Sequence, residues 1–203
     1  MNTIDAALQS ATPTIMVPRY AKLVELTTPG HRILMAENGV WLEVCRAWFY
    51  TRIQISPTLP VPVPYGSVSE TKRFGFGKIP KALVTQFIEE AKIRCPNECA
   101  AWIVWNAQTL TWQLLMLEEV FVGPEHARVN LPILEEDEFM ILDLHSHALH
   151  PAYFSEQDDK DDSGECKIAG VIGNLNQEVV TTAFRFCVDG LFQTLQFDSP
   201  TGQ

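Results

Sequence analysis

The stretch LDLHSHALHPAYFSEQDD, from Leu142 to Asp159, holds the side chains best spaced for chemistry. His145 and His147 stand two apart. Side chains alternate along a strand, so both imidazoles leave it on one face and can bind a single metal ion. Zinc wants a third protein ligand and, in a catalytic site, leaves its fourth position to water. Asp158 supplies the third donor if the intervening loop folds back. Two plainer readings compete. An H-x-H pair also occurs as a polar strand end, and Ser155-x-x-Asp158 is a helix capping box that needs no metal.

Other candidate groups read as structural. His150 makes H-x-H-x-x-H and is expected on the loop in solvent, since the motif already has its aspartate. Asp159, Asp161 and Asp162 lack calcium-loop spacing and read as a solvated acidic loop. His31 and His126 have no partner nearby in sequence. Trp102, Trp105 and Trp112 fall in strand patterns and are expected to pack. Cys99 is expected to be buried, with no Cys/His nucleophile pattern around it. The H-E-x-x-H and H-x-E…P-C-x-x-C signatures of two other zinc enzyme classes are absent.

The elements that must position these groups fall in two parts. Residues 1–75 read as β-rich, with a hairpin around Asn38-Gly39, a strand at AWFYTRIQI and a connector carrying Pro57, Pro60, Pro62 and Pro64. Residues 76–203 read as mixed α/β. Leu83, Val84, Phe87, Ile88 and Ala91 share one helical face, bounded by Pro80 and by Cys95-Pro96. Strands follow at CAAWIVWN, TWQLLMLEEVFV and EFMILDLHSH. After the acidic loop come KIAGVIGNL and two strands joined by Asp189-Gly190.

Composition limits the alternatives. The 203 residues are 46% hydrophobic and 20% charged, enough to bury a core. A net charge of −10 with scattered Lys and Arg argues against nucleic-acid binding. Cys45, Cys95, Cys99, Cys166 and Cys187 are odd in number and form no C-x-x-C pair, as for free thiols in a reducing compartment. No signal peptide or membrane span is visible, so a cytoplasmic location and no membrane partner are expected.

His145-x-His147, seven residues, Ser155, two residues, Asp158 resembles the H-x-H-x7-S-x2-D signature of the JAB/MPN metalloproteases, the JAMM family. That family also has an upstream glutamate after its first helix, and Pro96-Asn97-Glu98-Cys99 is similar in context. The likeness covers roughly residues 78–197. With the β-rich extension, the chain also looks like the protein A family of the PRTRC plasmid cassette.

The resemblance implies an α+β fold: a cytidine-deaminase-like mixed sheet with flanking helices. It implies Zn²⁺ on His145, His147 and Asp158, Glu98 as general base and acid, and Ser155 as oxyanion donor. It implies cleavage of a peptide or isopeptide bond at the C-terminus of a ubiquitin-like protein. An E1-like, ThiF-related partner is also implied, and a non-catalytic or partner-gated scaffold is the alternative. Two departures stand out. Ala148 occupies a position where the family commonly has proline. Asp143, two before His145, replaces an apolar residue; it is expected as an exposed strand residue, the other reading being a group that orients an imidazole.

Overall fold

A computed structural model describes residues 2–57, 61–123 and 126–196. The chain divides into two units between Gly77 and Lys78. The first begins with helix α1 (Thr3–Ala11), whose Asn2 cap accepts the Ile4 N–H at 2.8 Å. Five strands follow: β1 (Thr14–Met16), β2 (Gly30–Ala36), β3 (Gly39–Cys45), β4 (Phe49–Ser56) and β5 (Thr71–Phe74). They form one sheet in chain order, parallel between β1 and β2 and antiparallel elsewhere.

The expected hairpin is present, with Ala36 paired to Gly39 and the turn at Glu37 and Asn38. Gly39 opens β3 at φ +121°, and a Cβ there would lie 2.1 Å from the Ser56 carbonyl oxygen. Leu34, Ala36, Trp41 and Val17 pack as the core. Glu43 is fully buried beneath Arg32 and the Tyr50 hydroxyl, and it also accepts the Leu26 N–H. His31, without a partner in its own stretch of sequence, meets the Thr12 hydroxyl at 2.7 Å. Residues 61–64 of the proline-rich connector carry neither helix nor strand, and residues 58–60 lie outside the described residues. The sequence reading missed α1, β1 and β5, which are short and carry few buried side chains.

The second unit starts with α2 (Lys81–Arg94), which buries Val84, Phe87, Ile88 and Ala91. Eight strands follow among the described residues: β6 (Ala100–Asn106), β7 (Thr111–Met116), β8 (Glu118–Gly123), β9 (His126–Asn130), β10 (Glu138–Ser146), β11 (Cys166–Gly173), β12 (Thr181–Val188) and β13 (Leu191–Leu195), with α3 (Glu156–Asp162) after β10. Six of these strands form one sheet, ordered β13-β12-β11-β10-β6-β7. Only β10 and β11 run parallel in it. The fold is therefore α+β. The run TWQLLMLEEVFV is not one strand. It breaks at buried Leu117, and β8 pairs with β9 in a separate ribbon. Among the described residues, no helix is long and apolar enough to cross a membrane.

The two faces of the six-stranded sheet differ. Ile103, Leu142, Ile168 and Phe186 stand opposite one another across four strands and are buried, as are Ala101, Leu144 and Phe184 in the next row. The other face carries Trp102, Asp143, Ala169 and Arg185 in one row and Ala100, His145, Val171 and Ala183 in the next. After the register shift between Met140 and Leu142, period-two alternation sends Leu142, Leu144 and Ser146 into the core and Asp143 and His145 to a polar face.

Candidate metal centre

His145 and His147 sit at the end of β10, where the ladder to β11 continues one residue past the strand. The His147 N–H donates to the Ile172 carbonyl at 2.8 Å. His147 is buried and His145 half-buried. The chain then turns sharply, with Ala148 at φ +45°. Proline is locked near φ −65°, so it cannot occupy this position; that accounts for the departure at 148. Pro151, three residues on, has a different use: its carbonyl faces His147 Nδ1 at 3.3 Å. A carbonyl only accepts, so Nδ1 carries the proton and Nε2 keeps a free lone pair. The Tyr153 ring packs edge-on against the same imidazole, with centroids 4.6 Å apart.

Asp158 arrives on α3. The Ser155 N–H and hydroxyl both donate to Asp158 Oδ2, at 2.6 and 2.7 Å, and Ser155 Oγ accepts the Asp158 N–H at 3.2 Å. The capping box is therefore formed. It leaves Oδ1 free to face His145 Nε2 at 3.5 Å. Burial disfavours the charged form of Asp158, yet the two Ser155 hydrogen bonds and the imidazoles outweigh it and hold the carboxyl below its ordinary range. Burial depresses the His145 pKa, more than the Asp158 charge raises it, which keeps the ring neutral as a ligand must be.

The three donor atoms lie within 4.8 Å of one another. The two Nε2 atoms are 3.2 Å apart. Ligands about 2.0–2.1 Å from zinc in a tetrahedron stand roughly 3.3 Å from each other. The separations of 3.2 and 3.5 Å match that edge, and two imidazoles with one carboxylate are a normal zinc donor set. The residues present fit the ion.

Glu98 lies in the turn between α2 and β6, and it is exposed. Reciprocal bonds tie its neighbour to the site. Cys99 N–H donates to Ser146 Oγ, and Ser146 N–H to the Cys99 carbonyl, both at 2.9 Å. His145 pairs with Ala100, two residues on from Glu98. Its charge acts on His145. Its side chain, however, lines a hollow with Asn97, Arg94 and Glu118. The groove holding His145 and Asp158 is a neighbouring one of about 640 Å³, and Leu117 borders both.

Two expectations are corrected. The acidic segment after Asp158 is not a solvated loop: Asp159 and Asp162 belong to α3, and Asp162 is only 5% exposed. Asp162 bonds Lys167 Nζ at 2.7 Å and Arg185 at 2.6 Å, while Asp159 pairs with Arg185; Asp161 is exposed and, among the described residues, accepts from Gln157 rather than from a cation. Asp143 is neither an exposed strand residue nor bonded to an imidazole; it takes Lys167 Nζ at 2.6 Å. Lys167 and Arg185 escaped the sequence reading because they stand in apolar strands with no motif around them. Strand alternation alone could have placed them on the site face. His150 is exposed and outside the ligand cluster, as expected. Cys99 is buried, Trp105 packs near Trp112, and Trp102 lines the groove beside His145. The side chain of His126 lies outside the described residues.

Residues 80–187 match the family model described as prokaryotic homologs of the JAB domain. Residues 2–75 match a domain of unknown function, DUF2016. Among solved structures, the solution structure of protein DSY2949 from Desulfitobacterium hafniense is similar, at 14% identity and a TM-score of 0.42, over 57% of this chain and 87% of that one. No curated protein matches the chain.

Proposed function

The chain belongs to the prokaryotic homologs of the JAB domain, and we propose that it is a zinc-dependent hydrolase acting on a peptide or isopeptide bond. The observation that carries this reading is the convergence of one donor atom each from His145, His147 and Asp158 within 4.8 Å, with His145 Nε2 at 3.2 Å from His147 Nε2 and 3.5 Å from Asp158 Oδ1. When bound, zinc supplies Lewis-acid chemistry, polarising a carbonyl oxygen and lowering the pKa of water toward about 7.

The chain's own residues do the rest. Glu98 accepts the proton of the attacking water and returns it to the departing amine, one carboxylate serving as base and then acid. Exposed and without a hydrogen bond among the described residues, it is free to swing from its hollow. Ser155 keeps its acceptor bond from the Asp158 N–H while its hydroxyl hydrogen rotates from Asp158 Oδ2 to the developing oxyanion. The substrate we propose is the C-terminal tail of a ubiquitin-like protein, bound extended in the groove beside Trp102 and Phe154.

A second reading has one observation in its favour. Glu98 faces the neighbouring hollow rather than the ligands, and this suits a resting enzyme completed by a partner such as an E1-like protein. The test is to purify the full chain without a metal-binding tag and measure its zinc. The chain should hold about one equivalent and release the extension of a ubiquitin-like fusion. His145→Ala with His147→Ala should abolish the metal. Glu98→Gln should keep it and lose hydrolysis by about 10²-fold or more. Wild-type protein without zinc, or a fully active Glu98→Gln, would sink the proposal. Activity seen only with the partner present would select the gated form.

A further inference from the structure

The two elements that deliver ligands come from opposite directions. Strand β10 brings His145, and α3 brings Asp158. Two residues back from His145, on the same strand face, is Asp143. Four residues on from Asp158, on the same helix face, is Asp162. Lys167 of β11 bonds both, at 2.6 and 2.7 Å, with its ammonium almost fully enclosed. Arg185 of β12 then holds Asp162 from the other side and reaches Asp159. The rings of Phe154 and Phe192 lie 3.9 and 4.1 Å from the Arg185 guanidinium carbon.

We propose that Lys167 is a positioning residue of the metal centre: by holding Asp143 and Asp162 together it sets the separation of His145 from Asp158, with Arg185 as the second strut. This rests on the zinc reading above. Three features support it. First, α3 has seven residues, too few to hold a helical shape or an orientation alone. Its N-terminus is capped by Ser155, whose side chain bonds Asp158; its C-terminus is pinned by Lys167 and Arg185. Second, buried ion pairs add little stability over apolar packing, so stability alone does not account for three carboxylates and two cations here. Third, the clamp lines the same groove as His145 and Asp158, with Asp143, Lys167 and Asp162 continuing its wall.

The experiment compares the full chain with Lys167→Met and Lys167→Arg. Zinc affinity is read by competition with a chromophoric chelator, geometry by the visible absorption of the cobalt-loaded protein, and folding of the metal-free protein by urea. Lys167→Met should bind zinc roughly 10–100-fold more weakly, the usual cost of losing a group that orients metal ligands. Its cobalt spectrum should change. Lys167→Arg, which can still bridge two carboxylates, should recover most of the affinity. A folded Lys167→Met with unchanged zinc affinity overturns the proposal, whatever its loss in urea stability. If that variant does not fold, Asp143→Asn keeps the Lys167–Asp162 pair and takes its place; unchanged affinity there overturns the proposal equally. Wild-type protein that binds no zinc would remove the zinc reading and this inference together, whereas tight wild-type binding with an indifferent Lys167 removes this inference alone.

Discussion

Replacing Gly173 with alanine tests how tightly the fold controls a ligand it never touches. Gly173 ends β11, and the loop after His147 passes directly over it. A Cβ added there would lie 2.3 Å from the His150 carbonyl oxygen, 2.4 Å from the Ala152 nitrogen and 2.5 Å from the Pro151 carbonyl carbon. Ordinary contacts of this kind settle near 3.5 Å, so the loop must retreat by about 1 Å. All three atoms belong to the backbone, and no side chain can rotate away. The loop is held at several points: Asn174 N–H to the His150 carbonyl at 2.8 Å, Leu175 N–H to the Ala148 carbonyl at 2.9 Å, and Ala152 N–H to Thr181 Oγ1 at 2.8 Å.

A retreat of that size carries the Pro151 carbonyl out of bonding range of His147 Nδ1, which it now meets at 3.3 Å. Overpacking of this kind costs about 1–3 kcal/mol of stability. Losing the group that fixes a ligand imidazole costs roughly 10–100-fold in metal affinity. Gly173→Ala should therefore lower both, as read by urea unfolding of the metal-free protein and by chelator competition for zinc. The mechanism predicts that adding zinc rescues stability less in the variant than in the wild type. Zinc affinity within twofold of wild type, with unchanged urea stability, would show that the loop does not bear on His147 as argued.

Two further outcomes follow from burial. Asp162→Asn leaves Lys167 and Arg185 short of a buried counter-charge and should destabilise by about 3–5 kcal/mol, whereas Asp161→Asn, at an exposed site, should stay within about 0.5 kcal/mol. Similar urea midpoints for the two variants would contradict the buried network. A thiol reagent should modify Cys45, Cys95 and Cys166 in the native protein but reach Cys99 and Cys187 only after denaturation. Burial, followed by the Asp162 charge, pushes the Cys187 thiol up to about 12. Rapid labelling of Cys187 at neutral pH would refute that account.

The parts of the fold legible in the sequence share a strong local signal. α2 follows from an apolar stripe between two prolines, and the turn at Asp189-Gly190 from residues that accept positive φ, here +46° and +85°. From Leu142 to Ser146 the residues of β10 separate as alternation requires. What escaped notice has a long-range cause. The break at Leu117 depends on β8 finding β9, a pairing that no property of TWQLLMLEEVFV announces. The run of aspartates looked solvated because charge usually is. Asp162 in it is buried because Lys167 and Arg185 arrive on neighbouring strands, Lys167 from 24 residues beyond Asp143 and Arg185 from 23 beyond Asp162.

The choice between a capping box and a metal ligand at Asp158 dissolves on inspection of its two oxygens. A carboxylate can accept on both, and here the tasks are divided: Oδ2 takes the Ser155 N–H and hydroxyl, and Oδ1 faces His145. The cap fixes the plane of the carboxylate, and only a fixed plane presents Oδ1 at ligand distance. A helix start and a metal donor are then one arrangement seen from two sides. The same economy recurs at the other end of α3, where Asp162 offers Oδ1 to Lys167 and Oδ2 to Arg185. Both ends of this short helix are held through carboxylates whose two oxygens answer to different elements. That is why a segment with almost no apolar residues of its own can keep a ligand in register with a strand.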